Sequence, residues 1–443
     1  MFDDRFSTMT IEWVNHASFL VKEGPVCLLI DPWLIGLAFD YSWALLSPTG
    51  FSSADFERVT HIWFSHEHPD HFSPSSLKII PSAIRHRITV LFQHTEDKRL
   101  ITFCRNLGFR DVRELSAEWI DLSQDLRVFC QPVSRGDSWL AIKSKDGSIL
   151  NLNDCIYMSE SSLDPVKNIA GAVDVLITQF SYASWWGNET DTERWKAAAQ
   201  GALDKVVREI RVLKPLRVIP AASFVYFCHE ENEYMNRHIN RVDRAFEVIR
   251  CTGTEALVMY PGDEWSIGEP WNSQPAITRY LADYERAESS PVKVRAEKVD
   301  IEKLVQRAAG FLRTLRRHNS RLLLRRMPVV KIYLTDHKRA FAFGLKGLRE
   351  IPDCSASAAD IALSSSALLY CLRFPWGGET LMVNGRFHSP EGGNRQAFFR
   401  WFSIAQANSR CTYYNRAYYV RKLRNKFNKL GRLAGHPAKD VLS

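Results

Sequence analysis

Three imidazoles and a carboxylate fall within six residues, His66-Glu67-His68-Pro69-Asp70-His71, directly after the strand-like run Val59 to Phe64. This hexapeptide constrains the fold more than any other segment of the 443 residues. A strand must deliver the loop, and the loop must let side chains two residues apart aim at one ion while Asp70 and His71 turn to a second. Imidazole and carboxylate together are the natural ligand set for Zn, Fe or Mn. Solvated loop histidines are the bland alternative, and they leave unexplained why three of thirteen His crowd into one loop.

The hexapeptide resembles the His-x-His-x-Asp-His signature of the metallo-β-lactamase-fold superfamily. Upstream, Asn15-His16-Ala17-Ser18-Phe19-Leu20 and Leu28-Leu29-Ile30-Asp31-Pro32-Trp33-Leu34 look like that fold's opening hairpin. The resemblance implies an α/β fold over about the first 265 residues, an αββα sandwich with the site on loops after strands. It also implies that Asp31 orients the ligands, because a metal-bound imidazole needs its other nitrogen fixed. His16 is a second candidate for such a supporting role, against a plain hydrogen-bonded structural His.

The family's later motifs carry over with one departure. Its third motif usually supplies a His, but the stretch here is Pro132-Val133-Ser134-Arg135-Gly136-Asp137-Ser138-Trp139, and no His lies between His94 and His229. Asp137 is the replacement. Ile149-Leu150-Asn151-Leu152-Asn153-Asp154 matches the fourth motif, and the run Val218 to His229 supplies the last ligand at its end. The implied set is His66, His68 and Asp137 on one metal, Asp70, His71 and His229 on the other, and Asp154 between them. An acidic residue at the third motif makes the site harder and more anionic, which suits iron better than zinc.

That departure resembles the oxygen-activating diiron branch of the superfamily. Asp31-Pro32-Trp33-Leu34, Gly136-Asp137-Ser138-Trp139 and Gln179-Phe180-Ser181-Tyr182-Ala183-Ser184-Trp185 are similar to segments of the CMP-N-acetylneuraminate hydroxylases. Those enzymes also carry a Rieske domain, whose Cys-x-His and Cys-x-x-His ligands do not occur in this sequence. With no Gly-x-Gly-x-x-Gly after a strand either, an oxygenase of this kind implies an external electron donor. Tyr182, Trp185, Trp186 and Asn188 lie on a loop after the Val173 to Ile177 run. They are candidates for substrate contact, with core aromatics as the alternative.

Pattern changes divide the chain into residues 1–270, a metal-binding catalytic domain; 271–327, a basic helical linker; and 328–443, a smaller α+β domain with a basic tail. Asp191 to Leu213 is the clearest helix, with Leu203, Val206, Val207 and Ile210 on one face. In the last part, Asp360 to Leu363 and Thr380 to Val383 read as strands, and Ser366 to Leu372 and Arg395 to Ala407 as helices. Ala362 to Leu369 and Val383 to Phe387 resemble sterol-carrier-like domains, which implies a hydrophobic groove or a platform for a homo-oligomer.

Composition excludes several classes. No run reaches the 18 to 20 apolar residues of a membrane span, and the start lacks a signal peptide, so the expected location is cytoplasmic. Nine cysteines without a Cys-x-x-Cys read as buried thiols rather than a disulfide framework. The net charge of +8 gathers in Arg313, Arg316, Arg317, Arg321, Arg325 and Arg326, and in Arg421, Lys422, Arg424, Lys426, Lys429 and Arg432. Solvated helix faces over Leu312, Leu315, Leu322 and Leu323 explain these best; an anionic substrate, a membrane surface or nucleic acid are lesser readings. The expectation is a dinuclear metal enzyme acting on a small-molecule substrate. It is either a diiron, O2-dependent oxygenase with Asp70 and Asp154 central to catalysis, or a dizinc hydrolase sharing a hydroxide; a metallonuclease stands third.

Overall fold

The strand that delivers the His-rich loop, His61–Phe64, buries Ile62 and Phe64 on one face and Trp63 on the other. A strand buried on both faces needs a layer above and a layer below. Both are present in the computed structural model, which describes residues 8–133, 136–289 and 294–433, with side chains to residue 424 in the last helix. Ser134 and Arg135 of the third motif, and the side chains of Lys426, Lys429 and Arg432 of the tail, lie outside the described residues.

The chain forms two compact units, residues 1–295 and 296–443. In the first, one seven-stranded sheet has the order Glu264–Ser266, Thr10–Asn15, Ser18–Glu23, Val26–Ile30, His61–Phe64, Thr89–Gln93, Asp111–Leu115. A second has the order Glu255–Ala256, Arg217–Ala221, Val175–Gln179, Ser148–Asn153, Ser138–Lys143, Arg127–Pro132, Trp119–Asp121. Trp13, Phe19, Leu28, Ile30, Trp63 and Leu91 of the first sheet share one core with Leu140, Ile142, Leu150 and Leu176 of the second. The alternate residues Val14, Leu20, Leu29, Ile62, Phe64 and Val90 pack outward against helical residues such as Leu77, Ile84 and Ile101. Period-two alternation thus builds the layers from the strands themselves.

On the second sheet's outer side lies the helix Thr192–Leu213. Its buried Leu203, Val206, Ile210 and Leu213 contribute roughly 1.5–3 kcal/mol each by leaving water. That stabilisation is large enough to offset two charged residues buried on the same helix, Lys205 and Glu209. The helix Gln274–Ser289 also belongs to the first unit, because Ala276, Ile277, Tyr280 and Tyr284 enter its core. The boundary therefore falls at Arg295/Ala296 and not at residue 270, and the stretch 271–327 is divided between two packed units rather than forming a linker.

The second unit is α+β. Its five-stranded sheet has the order Gly347–Ile351, Arg339–Gly344, Val330–Leu334, Ile361–Leu363, Phe387–His388, and the first three of these strands went unread in the sequence. Thr380 to Val383 is not a strand: it lies inside the helix Gly377–Asn384. Its N-terminal glycines explain the misreading, since a Cβ on Gly378 would sit 2.4 Å from Cβ of Phe402, so the helix packs where only glycine fits. Arg313, Arg316, Arg317, Arg321, Arg325 and Arg326 are exposed over buried Leu312, Leu315 and Leu324, as an amphipathic helix requires, whereas Leu322 is exposed rather than packed beneath them. Among the described residues no helix is long and apolar enough to cross a membrane.

Candidate metal centre

Parallel strands from both sheets end at one place. Asp31 follows Val26–Ile30, Ser65 follows His61–Phe64, Asn153 and Asp154 close Ser148–Asn153, and Gln179 closes Val175–Gln179. The chain must turn away sharply there, and it does so in left-handed backbone at His16 (φ 31°), Asp31 (φ 43°), Asn153 (φ 51°) and Ala222 (φ 50°). Each such residue costs of order 1–3 kcal/mol and persists only where its surroundings over-determine it. Here they do, since the Ala222 amide donates to the His16 carbonyl at 3.0 Å and the other three are hydrogen-bonded through their side chains.

Two groups of potential ligands converge: His16, Asp70 and His71, all buried, and His66, His68 and Asp154, more open. They adjoin. His71 Nε2 lies 3.3 Å from Asp70 Oδ2 and 3.4 Å from Asp154 Oδ2; His66 Nε2 lies 4.0 Å from the same Asp154 oxygen and 2.8 Å from His68 Nδ1. The rings of His66 and His71 are 4.2 Å apart.

Asp31 sets the protonation of this array. Fully buried, it accepts from the Ser65 amide (2.8 Å), Ser65 Oγ (2.7 Å), Asn153 Nδ2 (2.6 Å) and His71 Nδ1 (2.9 Å). Because Ser65 Oγ spends its proton on Asp31, it can only accept from His66 Nδ1, 2.9 Å away. Both imidazoles therefore engage their Nδ1 in these bonds and turn Nε2 toward the centre, the atom a metal would take in place of a proton.

A cation fits the atoms left over. Asp70 Oδ1 is buried without a hydrogen-bond partner, and His71 Nε2 faces two carboxylate oxygens at 3.3 and 3.4 Å, an arrangement that is costly unless positive charge sits among them. Burial opposes charge on His71, yet the carboxylates of Asp70, Asp154 and Asp31 outweigh it and raise its pKa well above the ordinary value. Burial likewise would raise Asp70, but the His71 charge and the His16 and His71 hydrogen bonds hold it well below. The pocket thus demands positive charge at the point where Nε2 and the carboxylate oxygens meet.

Not every expected ligand joins these groups. His229 is buried outside both, with Nδ1 accepting from the Glu231 amide at 3.1 Å. The run Val218 to His229 is not one strand: Arg217–Ala221 breaks at Ala222, and Val225–Phe227, two residues before His229, pairs with Trp43–Leu45 in a separate ribbon. His16, expected only in a supporting role, stands in the group instead, 3.3 Å from Asp70 Oδ2. Asp137 is half-buried and outside both groups, yet near them: burial first, then the Asp137 and Asp154 charges, hold the Cys155 thiol well above its ordinary value. His16→Ala is accordingly expected to weaken metal binding at the Asp70–His71 group by about 10-fold or more, and His229→Ala to leave it within about twofold, as read by chelator competition.

The expected substrate loop is mostly core. Tyr182 donates its hydroxyl to the Met235 carbonyl and packs on Trp195 and Phe227, Trp185 is buried, and Asn188 accepts from Trp195 Nε1 through its carbonyl. Of the four, only Trp186 is exposed, at 50%.

Two packed sheets with a His/Asp centre at their strand ends define a metallo-β-lactamase fold. Residues 10–193 match the family model described as a beta-lactamase superfamily domain. The chain is 26% identical over 245 residues to the cytidine monophosphate-N-acetylneuraminic acid hydroxylase of Pan troglodytes, covering 52% of this chain and 40% of that one. It spans less than half the length of the curated relatives it matches. Among solved structures it is similar to CmlA, a diiron β-hydroxylase from Streptomyces venezuelae (19% identity, 59% and 54% of the two chains, TM-score 0.41). It is also similar to Igni18, a metallo hydrolase from Ignicoccus hospitalis (13% identity, 60% and 100%, TM-score 0.41).

Proposed function

We propose that the first unit is a dinuclear iron oxygenase that hydroxylates a small polar or nucleotide-linked molecule, taking electrons from a separate reductant. The observation that carries this reading is the carboxylate content of the centre. Asp70 and Asp154 stand among the imidazoles, and Asp137 stands close by where zinc hydrolases of this fold commonly place a third His. The named hydroxylase among its relatives supports the same class. Bound at the two groups, iron would supply the activation of O2.

The chain's own residues do the rest. Asp154 offers one oxygen to both His71 and His66, so it is the residue placed to span the two groups. Asp31 engages Nδ1 of His71 directly and Nδ1 of His66 through Ser65, so it is Nε2 of each ring that would face a metal. The Asp70 group is buried, whereas His68 and Asp154 are partly exposed, so substrate approaches from the His66–His68 side.

Metal content by mass spectrometry, on protein purified without oxygen from cells given both iron and zinc, tests the proposal. About two irons per chain, with O2 consumption on adding a reductant and a hydroxylation substrate, is the expected result. About two zincs with little iron would place the protein among the hydrolases instead.

A further inference from the structure

Gln179 ends its strand beside the centre. Its Nε2 donates to Asp154 Oδ1 at 3.2 Å and reaches the Ala222 carbonyl at 3.4 Å. Both neighbours are acceptors, so the amide can face them only with its nitrogen. With Oδ1 held in this way, Oδ2 is the oxygen that Asp154 turns to His71 and His66.

Behind Gln179 lies a buried ion pair. Lys205 and Glu209, one turn apart on the helix Thr192–Leu213, are 7% and 0% exposed. Lys205 Nζ donates to Thr178 Oγ1 (3.1 Å) and to the Gln179 carbonyl (3.4 Å), and lies 3.5 Å from Glu209 Oε1. Thr178 Oγ1 passes its proton to Glu209 Oε2 at 2.7 Å. These bonds all converge on the last two residues of one strand, those that carry the amide holding Asp154.

A buried pair of this kind is poor evidence for stability, because desolvating two charges costs about as much as their attraction returns. Leucines of similar volume would pack this helix face as well as Leu203 and Ile210 do. The retained charges need another reason, and their geometry supplies it. We infer that Lys205 and Glu209 are positioning residues for Asp154: they fix Thr178 and Gln179 so that Gln179 binds one carboxylate oxygen and aims the other at the metals. This rests on Asp154 as a metal ligand but not on the choice between oxygenase and hydrolase.

The test is Co2+ binding by the full-length protein, followed by chelator competition and the visible spectrum of the bound ion. Gln179→Met keeps the volume and removes the donor. Lys205→Met combined with Glu209→Leu removes the pair without stranding a charge. Each is expected to weaken the more loosely held ion by about 10- to 100-fold and to alter its spectrum, while Lys205→Arg stays within about threefold of the parent. Far-ultraviolet circular dichroism checks folding, and Gln179→Met decides the matter if the double variant fails to fold. Co2+ affinity within about twofold of the parent, with an unchanged spectrum, in a folded Gln179→Met protein would overturn the inference. A parent protein that binds no Co2+ would overturn the metal reading, and this inference with it, before any variant is made.

Discussion

Asp154→Ala is expected to empty both groups, taking metal content from about two ions per chain to below one, with any turnover falling by at least about a hundredfold. Its Oδ2 lies 4.0 Å from Nε2 of His66 and 3.4 Å from Nε2 of His71. Loss of that atom removes the carboxylate from the His66–His68 group, and one of the carboxylates that make the His71 site attract a cation. Asp154 is partly exposed, so its removal strands no buried charge and the fold survives. Asp137→Ala provides the contrast. Lying near the centre but outside both groups, Asp137 should affect one ion and spare the other. Mass spectrometry of metal content on both variants separates the cases, and full occupancy in both would rule out these ligand roles.

What could be read before the structure follows from locality. The hexapeptide, the hairpin that brings Asp31, and the Asn153-Asp154 strand end are each contiguous in the chain, and near-continuous apolar runs buried on both faces mark their strands. The run from Val218 to His229 does not read as broken, because a left-handed Ala222 interrupts it where glycine or an Asx residue would signal a turn, and because the partner strand Trp43–Leu45 lies far upstream. Tyr182 and Trp185 lie on a loop, as their sequence reads, but nothing local decides between substrate contact and core, and Trp195 and Phe227 pack on Tyr182 from distant segments. The helix was legible but its inward face was not fully so: Val207 was placed on it and is only half-buried, whereas Lys205 and Glu209, which polarity assigns to solvent, are inside. Nothing local in the sequence gives Gln179 a role, since its partner Asp154 is reached only through the parallel pairing of two strands. Chemistry carried by one loop was therefore visible, and chemistry assembled from several strand ends was visible only where each piece had its own motif.

Asp31→Ala should be the most destabilising single change at the centre. Asp31 accepts four hydrogen bonds inside a fully buried site, from two groups of Ser65, from Asn153 and from His71. Each donor left buried and unpaired costs about 1–3 kcal/mol, and for a connected network the combined loss is about 3–5 kcal/mol rather than the sum. Against a typical domain stability of about 5–15 kcal/mol, that is a large fraction. Asp31→Asn is no rescue, because its amide group adds donors where donors already converge. Asp31→Ala also removes the acceptor that orients His71 directly and His66 through Ser65, so their Nε2 atoms are no longer aimed at the metals and affinity should fall by about 10- to 100-fold. Urea unfolding of the metal-free protein reads the first effect and chelator competition the second. Measuring both matters, because unfolding within about 1 kcal/mol of the parent would show that the strained turn at Asp31 is held by the sheet alone.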